Sequence, residues 1–363
     1  MSFTHARRLA IETLLAVDVD DAYANLHLPK LLATARLEPR DAAYATELTY
    51  GTCRLTGRYD AIVRELTGTR SIRDLDPPVR AILRVAIHDM LALKTPPHAA
   101  VDQAVEATRY FVGERATGFV NGVLRAVEDT PLATWRERII TGKDGISHWY
   151  SHPRWLVREL SSALAAHGRP TTEVVALLAA NNTAPLIDLA VRKGDRGALM
   201  AEVPFPLRET TYSPVGLQMK FGNPGRIREV RRGAVAVQDE ASQLMALLAE
   251  STPVDGRDTN WLDMCAAPGG KSGLLAAAAV KRGATLRAND ISAHRVKLIE
   301  STLSPLFSEV ELTCADGRTI GQAQPGHYDR ILLDAPCTGA GALRRRPESR
   351  WRKRASDLTD LTA

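Results

Sequence analysis

The 363-residue sequence predicts a multidomain protein: an all-α N-terminal domain over 1–130, a small α+β subdomain over 131–235 and an α/β domain over 236–363. Three observations predict it. Apolar residues recur at helical spacing, with few breaks, through the first part. A Trp- and Pro-rich stretch follows, holding one short alternating run, LIDLAV. Beyond it, short apolar runs alternate with helical patterns, and such alternation makes a parallel, doubly wound sheet.

The first helix, over 6–17, gathers Leu9, Ala10, Thr13, Leu14 and Val17 on one face, and 26–37 continues the pattern. DAAYATELTYGTCRL (41–55) and 59–66 read as two further helices, the second ended by Gly68. Asp76-Pro77-Pro78 opens the next, because proline suits a first helical turn whose N–H groups lack partners anyway. That helix, 79–93, is apolar nearly all round and is expected at the centre of a bundle. Helices over 99–110 and 117–127 complete the domain. In the middle part Trp135, Trp149 and Trp155 cluster. Helices are expected there over 155–165 and 172–180, then a strand over 186–191 and a basic run, RIREVRR. The last part predicts a helix over 237–250 and strands over 261–264, 285–289, 310–314 and 330–333, with helices 272–281 and 293–303 between them.

A hydrophobic content of 45% and a charged content of 25% are ordinary for a globular chain with a real core. No run of about 18 apolar residues exists, so no membrane span is expected. The start, MSFTHARRLAIETLL, is read as an amphipathic helix and not a signal peptide, since Glu12 and Asp18 interrupt it. Cys53, Cys265, Cys314 and Cys337 are scattered without a CxxC, which argues against a metal site or a disulfide scaffold and suits the reducing cytoplasm. A formal charge of +5 permits an anionic partner.

The chemistry centres on WLDMCAAPGGK, residues 261–271. Pro268 stops the strand, and Gly269 and Gly270 let a ligand approach the backbone. Asp290, Asp316 and Asp334 each follow a later strand, so parallel strands would align them along one sheet edge beside this turn. An acid after the second strand can accept both ribose hydroxyls of a nucleoside. The plainer alternative is a capping aspartate before each helix. AAPGGK is neither GxGxxG nor a phosphate loop, so a nucleoside cofactor without pyrophosphate, such as S-adenosylmethionine, fits best. Cys337 follows Asp-Ala-Pro at the fourth strand's end and is expected at the pocket; Cys265 is expected to pack in the turn, and Cys53 and Cys314 in the core. LRRRPESRWRKR, 343–354, carries seven basic residues against one Glu. Arg344, Arg345, Arg346, Arg350 and Trp351 are its candidate RNA contacts, through phosphate pairing and base stacking. The alternative is a solvated basic face.

MCAAPGGKS, NDISAHR, CADGR and LLDAPCTGAGALRRRPESRW closely resemble the RsmB (Sun) family of ribosomal-RNA cytosine-5 methyltransferases. RDAAYATELTYGTCR, PPVRAILRVAIHDML and RATGFVNGVLRAV resemble the NusB-like RNA-binding domain that such enzymes carry. The resemblance implies a Rossmann-like methyltransferase domain in which Cys265, Ala266, Ala267, Pro268, Gly269, Gly270 and Lys271 wrap the methionine part of S-adenosylmethionine. Asp290 would hold the ribose, Asp316 would lie near the adenine, and Asp334 would face the target base. It implies a covalent cysteine adduct at C6 of cytosine, with small-subunit ribosomal RNA as partner, no metal, no membrane, and a cytoplasmic monomer. The family's nucleophile lies in a Thr-Cys-Ser motif on a fifth strand, and Cys337 matches the cysteine that assists product release. This sequence has no Thr-Cys-Ser, which predicts a C-terminally truncated domain whose fourth strand is an exposed edge. One competing reading is an RNA-binding module whose cofactor domain lacks turnover. Another is a methyltransferase of protein or small molecules, against which the basic run and Trp351 speak.

Overall fold

The structure is a computed structural model that describes residues 3–68 and 71–362. It divides into two compact units, residues 1–185 with 337–363, and residues 186–336. Among the described residues no helix is long and apolar enough to cross a membrane.

The first unit is helical: α1 His5–Val19, α2 Ala24–Ala35, α3 Pro39–Thr67, α4 Pro77–Leu91, α5 Pro97–Phe111, α6 Thr117–Glu128, α7 Leu132–Thr141, α8 Gly145–Trp149, α9 Arg154–Ala166 and α10 Val174–Asn181. Proline stands in the first turn of α3, α4 and α5. Every residue of α4 from Val79 to Met90 is buried, so it is the bundle's central helix, as its apolar circumference implies. Its buried charges are paired, as burial demands. Arg84 meets Asp60 at 2.6 Å, and Asp89 accepts from Arg7, Tyr44 and Thr95 at 2.6 Å each.

Two expectations change here. The helices over 41–55 and 59–66 are one helix, α3, of 29 residues. Gly57 lies buried inside it, where its missing side chain makes a notch: a Cβ there would lie 2.4 Å from Trp351 Cζ2 and 3.2 Å from the Ser151 Cα. Residues 131–185 cluster with the helices, not with the strands that follow them. The reason is the indoles. Trp135 and Trp149 belong to the helical core, and Arg58 lies 4.0 Å over the Trp149 ring while donating to its carbonyl at 2.8 Å.

The second unit opens with β1 Ile187–Val191, α11 Arg196–Glu202, β2 Leu207–Glu209, β3 Gly216–Met219, α12 Arg228–Arg231 and β4 Val235–Val237. These strands form an antiparallel sheet in the order β2-β3-β1-β4, with Leu189 opposite Leu217 and Val237. Then come α13 Glu240–Ser251, β5 Asn260–Asp263, α14 Gly270–Arg282, β6 Thr285–Asn289, α15 Ala293–Leu303, β7 Glu311–Thr313, α16 Gly317–Ala323 and β8 Arg330–Leu332. Their sheet is parallel, in the order β7-β6-β5-β8. Strand order reverses between β5 and β8, and a ligand crevice is expected outside the carboxyl ends at such a reversal. β8 is an edge strand of this sheet, with Ile331 in it 52% and Leu333 just after it 59% exposed. The chain then re-enters the first unit with α17 Ser349–Arg352 and α18 Ser356–Thr362.

Candidate active site

β5 delivers its chain into a turn braced on both sides. Met264 N donates to Leu332 O of β8 at 2.9 Å, and Ala266 N to Asn289 O of β6 at 2.8 Å. Gly269 has φ +100°, which L side chains rarely adopt, and its N–H closes the turn onto Ala266 O at 2.7 Å. α14 starts at once with Gly270. α15 grips the turn's outward carbonyls: Arg295 donates to Ala267 O at 3.1 Å and Thr302 to Pro268 O at 2.7 Å.

Asn289, which no motif marks, ties the strand ends together. Its amide donates to Met264 O at 3.1 Å and Ala315 O at 2.9 Å, and its oxygen accepts from Thr313 at 2.9 Å and Ala315 N at 3.0 Å. A buried amide with all four bonds made fixes the register of three loops at once. The only sequence signal for it is its place before Asp290.

The three expected carboxylates end up in three environments. Asp290 is 2% exposed. Its Oδ1 accepts from Ser292 N at 3.1 Å, while Oδ2 accepts no hydrogen bond and has the Arg295 guanidinium 3.2 Å away. Asp316 caps α16, accepting from Arg318 N at 3.0 Å, and pairs with the same residue's guanidinium at 2.6 Å. Those bonds pull its carboxyl down to about 2. Asp334 is half-exposed and holds Lys271 Nζ at 2.5 Å.

A fourth carboxylate joins them. Asp263, the last residue of β5, is 1% exposed and accepts from Ser272 Oγ at 2.6 Å. Burial pushes its carboxyl up to about 6, with Ser272 and Lys271 opposing and Asp334 and Asp290 adding to the rise. The turn's Cys265 thiol is also raised, by burial first and then by Asp290 and Asp263, so it stays protonated.

Of the other cysteines, Cys53 is buried, and burial pushes its thiol up to about 12. Cys314 is exposed, not in the core, because β7 has ended at Thr313 before it. Cys337 is exposed.

The basic run is not one solvated face. Arg344 and Arg346 are exposed, Arg345 is half-buried and Trp351 is 39% exposed. Arg350 is corrected as an RNA contact: it is 0% exposed. Its guanidinium donates to Ser151 O at 3.0 Å and Asn182 Oδ1 at 2.8 Å, with the carbonyls of Asn181, Leu343 and Arg54 at 3.3–3.5 Å. Trp351 sits over the Gly57 notch, and Arg352 donates to Ala22 O beneath a ring contact with Tyr23 at 4.5 Å. The segment is a clasp on the helical unit that leaves Arg344 and Arg346 exposed.

The NusB family matches residues 4–129, and the family described as 16S rRNA methyltransferase RsmB/F matches residues 252–363. A putative methyltransferase of Mycobacterium tuberculosis, Rv1407, is 42% identical over 363 residues, covering 98% of this chain and 77% of its own length. Ribosomal RNA small subunit methyltransferase B of Pasteurella multocida is 31% identical over 343 residues, covering 90% of this chain and 72% of its own. The crystal structure of PH0851 superposes with a TM-score of 0.77 at 21% identity, over 98% of this chain and 80% of that one, a likeness of fold.

Proposed function

This chain belongs to the RsmB/F family of 16S rRNA methyltransferases, and from that premise we propose that it methylates C5 of a cytosine in small-subunit ribosomal RNA, using S-adenosylmethionine and a covalent cysteine adduct. The observation that carries the reading is Asp290. It is a buried carboxylate at the carboxyl end of β6, beside the Gly269-Gly270 turn at the strand-order reversal, with one oxygen that accepts no hydrogen bond. The Arg295 guanidinium offsets its charge from 3.2 Å without hydrogen-bonding it, and the two O–H donors of a ribose supply the bonds that oxygen lacks. The residues present therefore fit an adenosine cofactor.

When bound, S-adenosylmethionine supplies an electrophilic methyl group. The chain's residues bind and orient it. Cys265 to Lys271 wrap its methionine end, Asp290 holds the ribose and Asp316 borders the adenine. Asp263, Asp290 and Asp334 together favour a sulfonium cation over a neutral thioether. Asp334, steadied by Lys271, faces the target base, where its carboxylate can accept from the exocyclic amino group. In the family the thiolate that adds to C6, making C5 nucleophilic, comes from the Thr-Cys-Ser motif that this sequence does not contain. After C5 takes the methyl group, a base removes the C5 proton, the C6–S bond breaks and the thiolate returns. Cys337, three residues after Asp334 in the chain and exposed, is the thiol assigned to this chemistry, in the release step. Arg344, Arg345, Arg346 and Trp351 contact the RNA, whose base must leave its stack at a cost of a few kcal/mol.

The test uses S-adenosylhomocysteine and unmodified small-subunit rRNA. The ligand is expected to raise the thermal unfolding temperature of the chain, and Asp290→Ala to abolish that shift. An Asp290→Ala protein that is stabilised as much as the parent refutes the ribose assignment. Formation of 5-methylcytosine, read by mass spectrometry after incubation with labelled S-adenosylmethionine, tests the transfer itself.

A further inference from the structure

Arg192 follows β1, in LAVRKG, where nothing in the sequence marks it. It is 5% exposed and, among the described residues, pairs with no carboxylate. Burial alone pulls its guanidinium down to about 10. The Nε is buried without a hydrogen-bond partner. A buried guanidinium with no counter-ion is expensive, and an apolar side chain of similar length would cost less. What it touches suggests why it is there. Nη1 approaches Thr302 O at 3.3 Å, and Nη2 approaches Gly269 O and Gly270 O at 3.5 Å each. Gly273 makes room for it, since a Cβ there would lie 2.4 Å from Arg192 Cζ.

Gly269 O shares a peptide plane with the Gly270 N–H, and Gly270 O with the Lys271 N–H. In a planar trans peptide the two groups point in opposite directions. Gly269 O already accepts from Gly273 N at 3.0 Å, the first rung of α14, and the guanidinium adds a longer contact to it and to Gly270 O, which holds both carbonyls to one side and both N–H groups to the other. These N–H groups belong to the first turn of α14, where no intrahelical acceptor exists, and such a turn suits a carboxylate.

We propose that Arg192 is a positioning residue for the cofactor turn: it orients the Gly270 and Lys271 N–H groups toward the carboxylate of the ligand's amino-acid end. The proposal rests on the S-adenosylmethionine reading given above. It makes a distinction that general loosening of the fold does not. S-adenosylhomocysteine has the amino-acid carboxylate, whereas 5′-methylthioadenosine keeps the adenosine and lacks it.

The experiment is calorimetric titration of the full chain with each of these two compounds, for the parent, Arg192→Met, Arg192→Lys and Gly273→Ala. Arg192→Met is expected to weaken S-adenosylhomocysteine about tenfold, the worth of one charge-assisted hydrogen bond, and to leave methylthioadenosine unchanged. Arg192→Lys should recover part of the loss. Gly273→Ala, which keeps the arginine and displaces its head, should copy Arg192→Met, and it serves if that variant does not fold. Equal weakening of both compounds overturns the proposal in favour of a purely structural arginine, and so does no weakening of either. If the parent chain binds neither compound, the cofactor reading itself falls and this inference with it.

Discussion

Replacing Arg350 by methionine separates the clasp from a nucleic-acid contact. Methionine keeps much of the aliphatic stem and removes the fork. Two of the five acceptors, Ser151 O at 3.0 Å and Asn182 Oδ1 at 2.8 Å, lie at good hydrogen-bond distance. Charge-assisted bonds of that kind contribute roughly 1.5–3 kcal/mol each, so the gross loss is about 3–6 kcal/mol. Burying a guanidinium without a carboxylate offsets part of it, and a net local loss of ~2–4 kcal/mol is expected. Hydrogen exchange read by mass spectrometry should then show peptides spanning 343–354 and 147–152 exchanging roughly 30- to 1,000-fold faster, at about 1.4 kcal/mol per decade. RNA retention measured across a salt series should keep its slope, whereas Arg344→Met and Arg346→Met should each reduce it by about one. Unchanged exchange in Arg350→Met, with a reduced salt slope, would refute the burial argument and return Arg350 to the RNA face.

Gly57→Ala should destabilise the helical unit by ~1–3 kcal/mol through the clash with Trp351, although alanine is the better helix former by about 1 kcal/mol; adding Trp351→Ala should restore stability, and urea unfolding of the two variants checks both. Asp263 titrates at about 6 in the fold against an ordinary 3.8. The raised value means its contribution is fully present below the ordinary value and lost as pH rises through about 6. A shift of about two units corresponds to about 3 kcal/mol. Asp263→Asn, which can still accept from Ser272, should gain on the parent by that order between pH 4 and 7. Parallel urea midpoints for the two proteins at the two pH values would contradict it.

The doubly wound sheet was legible because its signal is local. Each strand is a run of three to five residues followed by a helical pattern, and the observed β5, β6, β7 and β8 fall within a residue of the expected bounds. Asp290 was legible for the same reason, as an acid after the second strand of such a unit. What escaped depends on contacts between residues far apart in sequence. The Gly57 notch exists only because Trp351 fills it, and the acceptors of Arg350 come from Arg54, Ser151, Asn181 and Asn182. A basic run reads as solvated when no such partner is visible. The Pro-rich composition sets Trp135 and Trp149 apart from the first helices. Their burial against the core decides otherwise.

The strand-end aspartates show why residue type and spacing stop short of a role. Asp290 directly follows β6 and Asp316 comes three residues after β7, and each accepts the backbone N–H two residues on. Asp316 has a second partner in its own turn, Arg318, which fills its carboxylate and holds it ionised. An adenine bordering Asp316 would have to share that carboxylate with an arginine. Asp290 has Arg295 beside it too, but that guanidinium is divided between Asp290 and the Ala267 carbonyl, and Oδ2 stays without a hydrogen bond. One acid is thus satisfied by its own loop and the other waits for a donor. Asp263, absent from the expected set, is as buried as Asp290, and burial first, then Asp334 and Asp290, raise its carboxyl, so it responds to whatever charge arrives next to those two. A cation bound there would favour its ionised form, which makes a residue inside a strand the group most sensitive to the ligand's charge.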